Sequence, residues 1–81
     1  MTTLENYNSA FTEAFEIEED SLPGLEYQAI EAWDSVGHMM LISLLEEKLG
    51  IQMEMDDIID LSSYEKGKEL LLKYGIEFGG E

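Results

Sequence analysis

Apolar residues recur every three or four positions near the start of the chain, the spacing at which side chains share one face of a helix. The residues with this spacing are Leu4, Tyr7, Phe11, Ala14 and Phe15. Thr2 and Glu5 stand where the two members of an N-terminal capping box belong. The pattern predicts a first helix over about residues 3–16, with the apolar stripe buried in a core.

Helical spacing is lost between residues 17 and 33. Pro23 and Gly24 mark a turn, since proline inside a helix loses a backbone hydrogen bond and clashes with the preceding turn. A loop of this length is uncommon in a small domain unless it packs internally or serves a function. The apolar residues that favour packing are Leu22, Leu25, Tyr27, Ile30 and Trp33. We therefore expect a crossover loop that is pinned to the helices and leads into the next element.

A second helix is predicted over residues 35–49, from an Asp34-Ser35 pair at its entrance to a stop at Gly50. The residues expected to face the core are Leu41, Leu45 and Leu49, with Ile42 and His38 beside them. A second group falls on another side of the helix, next to the serine, and consists of Val36, Met39, Met40 and Ser43. The spacing thus separates a buried face from a face that is available to partners.

The C-terminal third of the chain predicts two further helices. Residues 56–61 form a short one, and Ser62 with Glu65 has the spacing of a capping box that opens a last helix, to about residue 74. The core stripe of this last helix comprises Tyr64, Gly67, Leu71 and Tyr74. Because glycine inside a helix is unfavourable by roughly 1 kcal/mol relative to alanine, Gly67 indicates a close approach of another segment. Residues 77–81 are expected to form a flexible tail.

Together these elements predict an all-α chain, a four-helix bundle with three main helices, a short third helix and a long loop between the first two. At 81 residues the chain has room for one small domain, which we assign to residues 1–76. No cysteine is present, which excludes disulfides and thiolate chemistry. Neither a signal peptide nor an apolar stretch of bilayer length is visible, so we expect a cytoplasmic monomer that does not insert into membranes.

Charge narrows the classes of partner. Nineteen acidic residues outnumber four lysines, and the formal net charge is −15. Such a chain repels nucleic-acid phosphates and anionic membrane surfaces, which makes both unsuitable partners. Basic patches on partner proteins are attracted instead. Regular apolar spacing and 44% hydrophobic content argue against a disordered acidic chain.

Ser35 is the residue best placed for chemistry. A hydroxyl at a helix N-terminus lies beside unpaired backbone N–H groups and the positive end of the helix dipole, which favour an attached phosphate. Asp34-Ser35 is also what any helix start prefers, so the pair alone is a capping signal. His38, the only histidine, follows Ser35 closely, but serine–histidine catalysis needs a third orienting group and a substrate cleft. The sequence shows no glycine-rich phosphate loop and no metal-ligand cluster, so we predict a non-catalytic protein without a metal site.

The triplet Asp34-Ser35-Val36 lies near mid-chain, after a long loop and inside a small acidic domain. In this context it resembles the phosphopantetheine attachment motif of acyl carrier proteins. The resemblance extends from the first helix to about Tyr74, and it implies the acyl-carrier fold. It further implies that a phosphopantetheinyl transferase esterifies Ser35 with phosphopantetheine from coenzyme A, and that Asp34 assists the transfer. Val36 occupies the hydrophobic position that follows the serine in this family.

The same resemblance implies a carrier of acyl groups in a fatty-acid, lipid or polyketide-type pathway, with acyl-loading and acyl-accepting enzymes that present basic patches. The partner-binding residues that we predict are Val36, Met39, Met40, Ser43, Glu46 and Glu47. Carriers of fatty-acid synthesis typically have carboxylates where this chain has Gly37 and Met40. The departure favours a specialised pathway, in which methionines make adaptable contacts.

Two other functions remain open. Asp-Ser-x-Gly also resembles the motif of some free-standing aminoacyl carriers, including D-alanine carriers, which would make the cargo an amino acid. Alternatively, the chain is an unmodified acidic adaptor that binds one basic partner through Val36, Met39 and Met40. In that case Ser35 only caps the helix.

Overall fold

The structure is a computed structural model that describes residues 3–78. Its helices are α1 (Thr3–Phe15), α2 (Ser35–Leu49), α3 (Met55–Asp60) and α4 (Tyr64–Leu72), with a 3₁₀ turn at Glu19–Ser21. Among the described residues there is no strand, and one isolated bridge pairs Glu26 with Ser63. The predicted all-helical architecture with a short third helix is confirmed.

Local signals set the bounds of α2. Asp34 is the N-cap, and its Oδ1 accepts the Gly37 N–H at 2.8 Å. Gly50 ends the helix in a left-handed conformation with φ 67°, and the Ile51 N–H returns to the Glu46 carbonyl at 3.1 Å. Both ends of α2 lie at the predicted residues.

The start of α4 corrects one prediction. Ser63, and not Ser62, is the N-cap, and its Oγ accepts the Lys66 N–H at 3.0 Å. The Ser62 carbonyl instead accepts the Tyr27 N–H at 2.8 Å, because this segment runs antiparallel to the long loop. The predicted box with Glu65 is therefore wrong by one residue, since pairing with a distant segment shifts the helix start.

Two features of the C-terminal segment were not expected from the sequence. α4 ends at Leu72 rather than near residue 74, because the N–H groups that follow bond to carbonyls three residues back. Phe78, which the sequence places in a flexible tail, is half-buried, and its ring centroid is 5.1 Å from that of Tyr7. Residues 79–81 and the predicted capping residue Thr2 lie outside the described residues.

An aromatic cluster joins the long loop to α1. Trp33 is fully buried, stacks on Phe15 with ring centroids 5.2 Å apart, and lies edge-on to Phe11 at 5.6 Å. Leu22 and Leu25 of the same loop are buried as well. The prediction that the loop packs on the helices is confirmed, and burial of large apolar side chains stabilises this arrangement by roughly 1.5–3 kcal/mol each.

Two glycines permit close approaches that any larger residue would block. A Cβ at Gly37 would strike the carbonyl oxygen of Ala32. A Cβ at Gly67 would strike Tyr7 Oη and lie 2.8 Å from Leu61 Cδ1. The close approach predicted at Gly67 is confirmed, and the one at Gly37 brings the loop directly against the start of α2.

The six-residue helix α3 is fixed by contacts with the C-terminal segment. The buried Asp57 carboxylate accepts from Lys73 Nζ at 2.7 Å and from Tyr74 Oη at 2.6 Å. These hydrogen bonds, the one from Lys73 above all, hold the pKa of Asp57 below its usual range. Helices this short are not stable alone in water, so α3 depends on such contacts for its place in the fold.

Candidate functional site

The Asp34-Ser35 junction lies at the entrance of α2, and its two residues have different tasks. Asp34 makes the cap, because its side chain accepts the Gly37 N–H. Ser35 is the first residue of the helix and is exposed. Its hydroxyl therefore plays no part in the cap and remains available to chemistry.

The surroundings of Ser35 suit an attached anion. Among the described residues, the amides of Ser35 and Val36 donate to no protein acceptor. The first amides of the helix that do donate are those of Gly37, to Asp34 Oδ1, and of His38, to the Asp34 carbonyl. These N–H groups and the positive end of a 15-residue helix favour a phosphate ester at Ser35 Oγ. Tyr27 Oη, 3.4 Å from Ser35 Oγ, adds a further polar group. The donor set thus fits a phosphodiester on this serine.

An apolar pocket of about 430 Å³ opens beside Ser35, between α2, α3 and the long loop. Its lining residues are Tyr27, Ser35, His38, Met39, Met55, Ile58, Ile59, Leu61 and Ser62. Neither a lysine nor a carboxylate is among them, and the polar side chains are three hydroxyl groups and His38. A cavity of this size and character suits an uncharged hydrocarbon group.

Most of the predicted partner-binding residues lie on the exposed side of α2. Val36, Met39 and Met40 are each more than half exposed, and Ser43 and Glu47 are exposed as well. Met39 also lines the pocket, so the exposed apolar surface continues into it. These side chains share the exposed surface of α2, with Met39 lining the same pocket as Ser35, and their role in binding stays a prediction.

Glu46 differs from the other predicted partner-binding residues. It is half-buried, and its Oε2 accepts the Met53 N–H at 2.9 Å. The carboxylate therefore fixes the segment that connects α2 to α3. Its contact with a partner also stays a prediction.

Sequence reasoning missed the contribution of α3 and of the loop to the site. Met55 and Ile59 are 71% and 70% exposed, and they extend the apolar surface across the pocket from Met39. Tyr27 was expected to pin the loop to the helices, and it contacts His38 of α2, but its place at the pocket beside Ser35 was not expected. The methionine-rich stretch before α3 was the one available signal, and it does not say which side of α3 meets α2.

His38 does not pair with Ser35. Its Nδ1 accepts the Trp33 indole N–H at 2.9 Å, and its Nε2 lies 2.7 Å from the Ile58 carbonyl oxygen. Both ring nitrogens are engaged, so the imidazole is not placed to act as a base for Ser35. His38 is half-buried on α2, in agreement with its predicted place beside the core-facing residues.

Ion pairs are few in the described part of the chain. Lys48 bonds to Glu13 at 2.6 Å and Lys73 to Asp57 at 2.7 Å. The hydrogen bond from Lys48 also holds the pKa of Glu13 low. Two of the four lysines are thus paired, and the surface keeps a large negative excess.

Within residues 3–78, no cluster of carboxylates and histidine is arranged to hold a metal ion. The described helices also include none with the length and apolarity needed to cross a bilayer. No family model, no curated protein and no solved structure matches the chain. Its function is therefore inferred from the entrance of α2, the adjoining pocket and the charge.

Proposed function

We propose that the chain is an acyl carrier protein that bears phosphopantetheine on Ser35 and delivers acyl groups between enzymes of a fatty-acid, lipid or polyketide-type pathway. The observation that carries the proposal is the place of Ser35. Its hydroxyl is exposed at the first residue of α2, and the same residue lines an apolar pocket of about 430 Å³. The side chain that carries the arm therefore also borders the pocket that shelters the hydrocarbon cargo. An acyl-carrier-like arrangement of the four helices is part of the proposal.

In the modification, Ser35 Oγ would attack the phosphorus of the coenzyme A diphosphate that is bonded to pantetheine. The bond from this phosphorus to the adenosine bisphosphate leaving group breaks as the bond to Oγ forms, and the serine proton passes to a base of the transferase. The amides of Ser35 and Val36 stabilise the charge of the resulting phosphodiester. Asp34 holds the helix start through its bond to the Gly37 N–H and assists the transfer from there. When attached, the arm supplies a thiol that holds acyl groups as thioesters, chemistry that a cysteine-free chain lacks.

The pocket favours an uncharged acyl cargo over an aminoacyl one. An ammonium group loses its hydration in an apolar cavity, and only a carboxylate or several acceptors compensate for that loss. The lining residues include neither aspartate nor glutamate. Side chains such as Ile58 and Met39 instead make good contacts with hydrocarbon.

The charge of the chain supports partner enzymes with basic patches. A net charge of −15 speeds encounters with such patches, in a salt-dependent way. Close docking then falls to the exposed side chains of Val36, Met39 and Met40 beside Ser35. An apolar docking surface at these positions favours enzymes of a specialised pathway.

The test is the intact mass of the chain after incubation with a phosphopantetheinyl transferase and coenzyme A. Wild type should gain the mass of one phosphopantetheine group. Ser21→Ala, which changes an exposed serine of the long loop outside the predicted partner-binding residues, should gain the same mass. Ser35→Ala should fold, as judged by circular dichroism, and gain nothing.

Two results would contradict the proposal. A wild-type chain that stays unmodified by transferases of differing specificity would favour the unmodified acidic adaptor. Labelling that persists in Ser35→Ala would place the attachment at another residue.

A further inference from the structure

His38 links three segments of the fold. It is half-buried on α2, with Nδ1 2.9 Å from Trp33 Nε1 in the long loop and Nε2 2.7 Å from the Ile58 carbonyl oxygen on α3. An indole N–H can only donate, so Nδ1 is the acceptor of the first bond and carries no proton. The proton of the neutral ring is then on Nε2, which donates it to Ile58. The geometry therefore specifies one tautomer of the uncharged imidazole.

The bond to Ile58 supplies a partner that α3 lacks within itself. The last carbonyls of a helix have no intrahelical donor. In α3, the Leu61 N–H donates to the Asp57 carbonyl at 3.0 Å, and His38 Nε2 donates to the Ile58 carbonyl. The C-terminal segment holds α3 at Asp57, and α2 holds it at Ile58. Because six residues do not form a stable helix alone, loss of either contact is expected to loosen α3.

The same bonds frame the pocket beside Ser35. His38, Ile58 and Tyr27 all line this pocket, and the ring centroids of Tyr27 and His38 are 5.5 Å apart. Trp33 stands two residues before Ser35, and its ring lies side by side with the imidazole, with an interplanar angle of 15° and centroids 6.2 Å apart. His38 thus contacts both the loop that leads to Ser35 and the pocket wall formed by α3.

We infer that His38 is a positioning residue that ties Trp33 and α3 to α2 and thereby shapes the pocket beside Ser35. The link is complete only in the uncharged ring. A second proton would occupy Nδ1 and face the Trp33 N–H, so that this bond is lost and a buried donor is left unpaired. The bond to Ile58 survives, since Nε2 keeps its proton.

The titratable groups around the imidazole do not compensate for the lost bond. Tyr27 faces the ring from the loop. The carboxylate of Asp34 is bonded to a backbone amide, and that of Asp57 on α3 is bonded to a lysine and a tyrosine. Asp60 at the end of α3 is exposed. None of the ion pairs found within residues 3–78 includes His38.

The chain carries one tryptophan and one histidine, so each reports on the link without interference. Fluorescence of Trp33 in the unmodified protein should differ between wild type and His38→Phe, because a phenyl ring cannot accept the indole N–H. His38→Phe keeps an aromatic ring at this position but makes neither hydrogen bond of the imidazole, so an unchanged Trp33 spectrum would contradict the link. Nitrogen NMR of neutral wild type should place the proton on Nε2. A proton on Nδ1 would overturn the inference even if no variant folds.

Amide hydrogen exchange measures the hold on α3. In His38→Phe the amides of α3 should exchange about tenfold faster, a factor that corresponds to about 1.4 kcal/mol. His38→Gln, which has both a donor and an acceptor, should restore part of the protection. Ser63→Ala is the matched control, because it weakens the cap of α4 without touching the link. If Ser63→Ala and His38→Phe accelerate exchange of the α3 amides equally, His38 contributes only to overall stability and the inference is overturned.

The role of the link in sheltering cargo rests on the proposed function, whereas the link itself does not. On the modified chain loaded with an octanoyl thioester, His38→Phe should speed spontaneous hydrolysis of the thioester, because the pocket no longer holds the octanoyl chain. Unchanged hydrolysis together with faster α3 exchange would overturn the part that concerns the pocket. A chain that never accepts phosphopantetheine would refute the proposed function, and the fluorescence and exchange results would still decide whether the link exists.

Discussion

Replacement of Gly37 by alanine sets helix propensity against packing. Alanine is favoured over glycine within a helix by roughly 1 kcal/mol, so secondary structure alone predicts a more stable protein. The site is buried, however, and the new Cβ would strike the Ala32 carbonyl oxygen and lie 3.3 Å from Phe15 Cε1. A backbone oxygen cannot rotate away as a side chain can, so the loop before α2 has to move.

The magnitude follows from the surroundings of Gly37. Overpacking of a filled core typically costs about 1–3 kcal/mol. Gly37→Ala belongs at the upper end of this range, because the contact is with the backbone and because Trp33, next to Ala32, is fully buried. After the propensity gain of roughly 1 kcal/mol is subtracted, we expect a net loss of about 2 kcal/mol. For a domain of this size, that loss lowers the Tm by about 8–16 °C.

Urea unfolding followed by circular dichroism measures the change in unfolding free energy. Ser43→Ala is the control, since it adds the same residue at an exposed position of the same helix and should leave stability equal or slightly raised. If Gly37→Ala unfolds at the same urea concentration as Ser43→Ala with an unchanged slope, the packing argument is wrong. The displaced loop leads directly into Asp34 and Ser35, so the variant should also accept phosphopantetheine more slowly.

Asp57→Asn should reduce the pH dependence of the unfolding free energy in acid. Because bonds from Lys73 and Tyr74 hold the folded-state pKa of Asp57 low, their stabilisation is present at neutral pH and is lost as the pH falls through that pKa. Urea titrations at a series of acid pH values should therefore show a larger fall for wild type, and equal falls would contradict the role of Asp57. In the same urea assay, Ser63→Ala should lower the unfolding free energy by about 1 kcal/mol and Ser62→Ala by much less, since only Ser63 Oγ caps α4. Moderate salt should raise the Tm in scanning calorimetry, because the net negative charge of the chain repels itself; a Tm indifferent to salt would mean that the charges are already well spread. Met40→Glu on the fully modified chain should slow thioester loading by the cognate enzyme and improve loading by a general fatty-acid synthase enzyme, and unchanged cognate loading would refute a docking role for the apolar surface.

Much of the helical framework could be predicted from the sequence because its signals are local. α2 begins and ends at the predicted residues, since Asp34 and Gly50 each act within one helical turn. The apolar spacing of α1 likewise identified Tyr7 and Phe11, both fully buried, as core residues. The candidate attachment site could also be predicted from a local signal, because its motif occupies adjacent positions around Ser35.

The tertiary structure decided the features that depend on residues far apart in the chain. The N-cap of α4 is Ser63 and not the predicted Ser62, because the Ser62 backbone pairs with Tyr27 of the long loop. A capping rule considers only residues within one helix, so it cannot predict the effect of this distant pairing. The same pairing brings Tyr27 to the pocket beside Ser35.

The pocket itself depends on how α3 is oriented. A six-residue helix has too few turns for its apolar spacing to mark a buried face, and it is too short to persist alone. Its side toward α2 is set by the bonds of Asp57 to the C-terminal segment and of Ile58 to His38. Capping and stripe patterns are complete within a few consecutive residues, whereas these bonds exist only after the chain has closed on itself. The sequence therefore determined the helices and the candidate serine, and the tertiary contacts determined the cavity beside it.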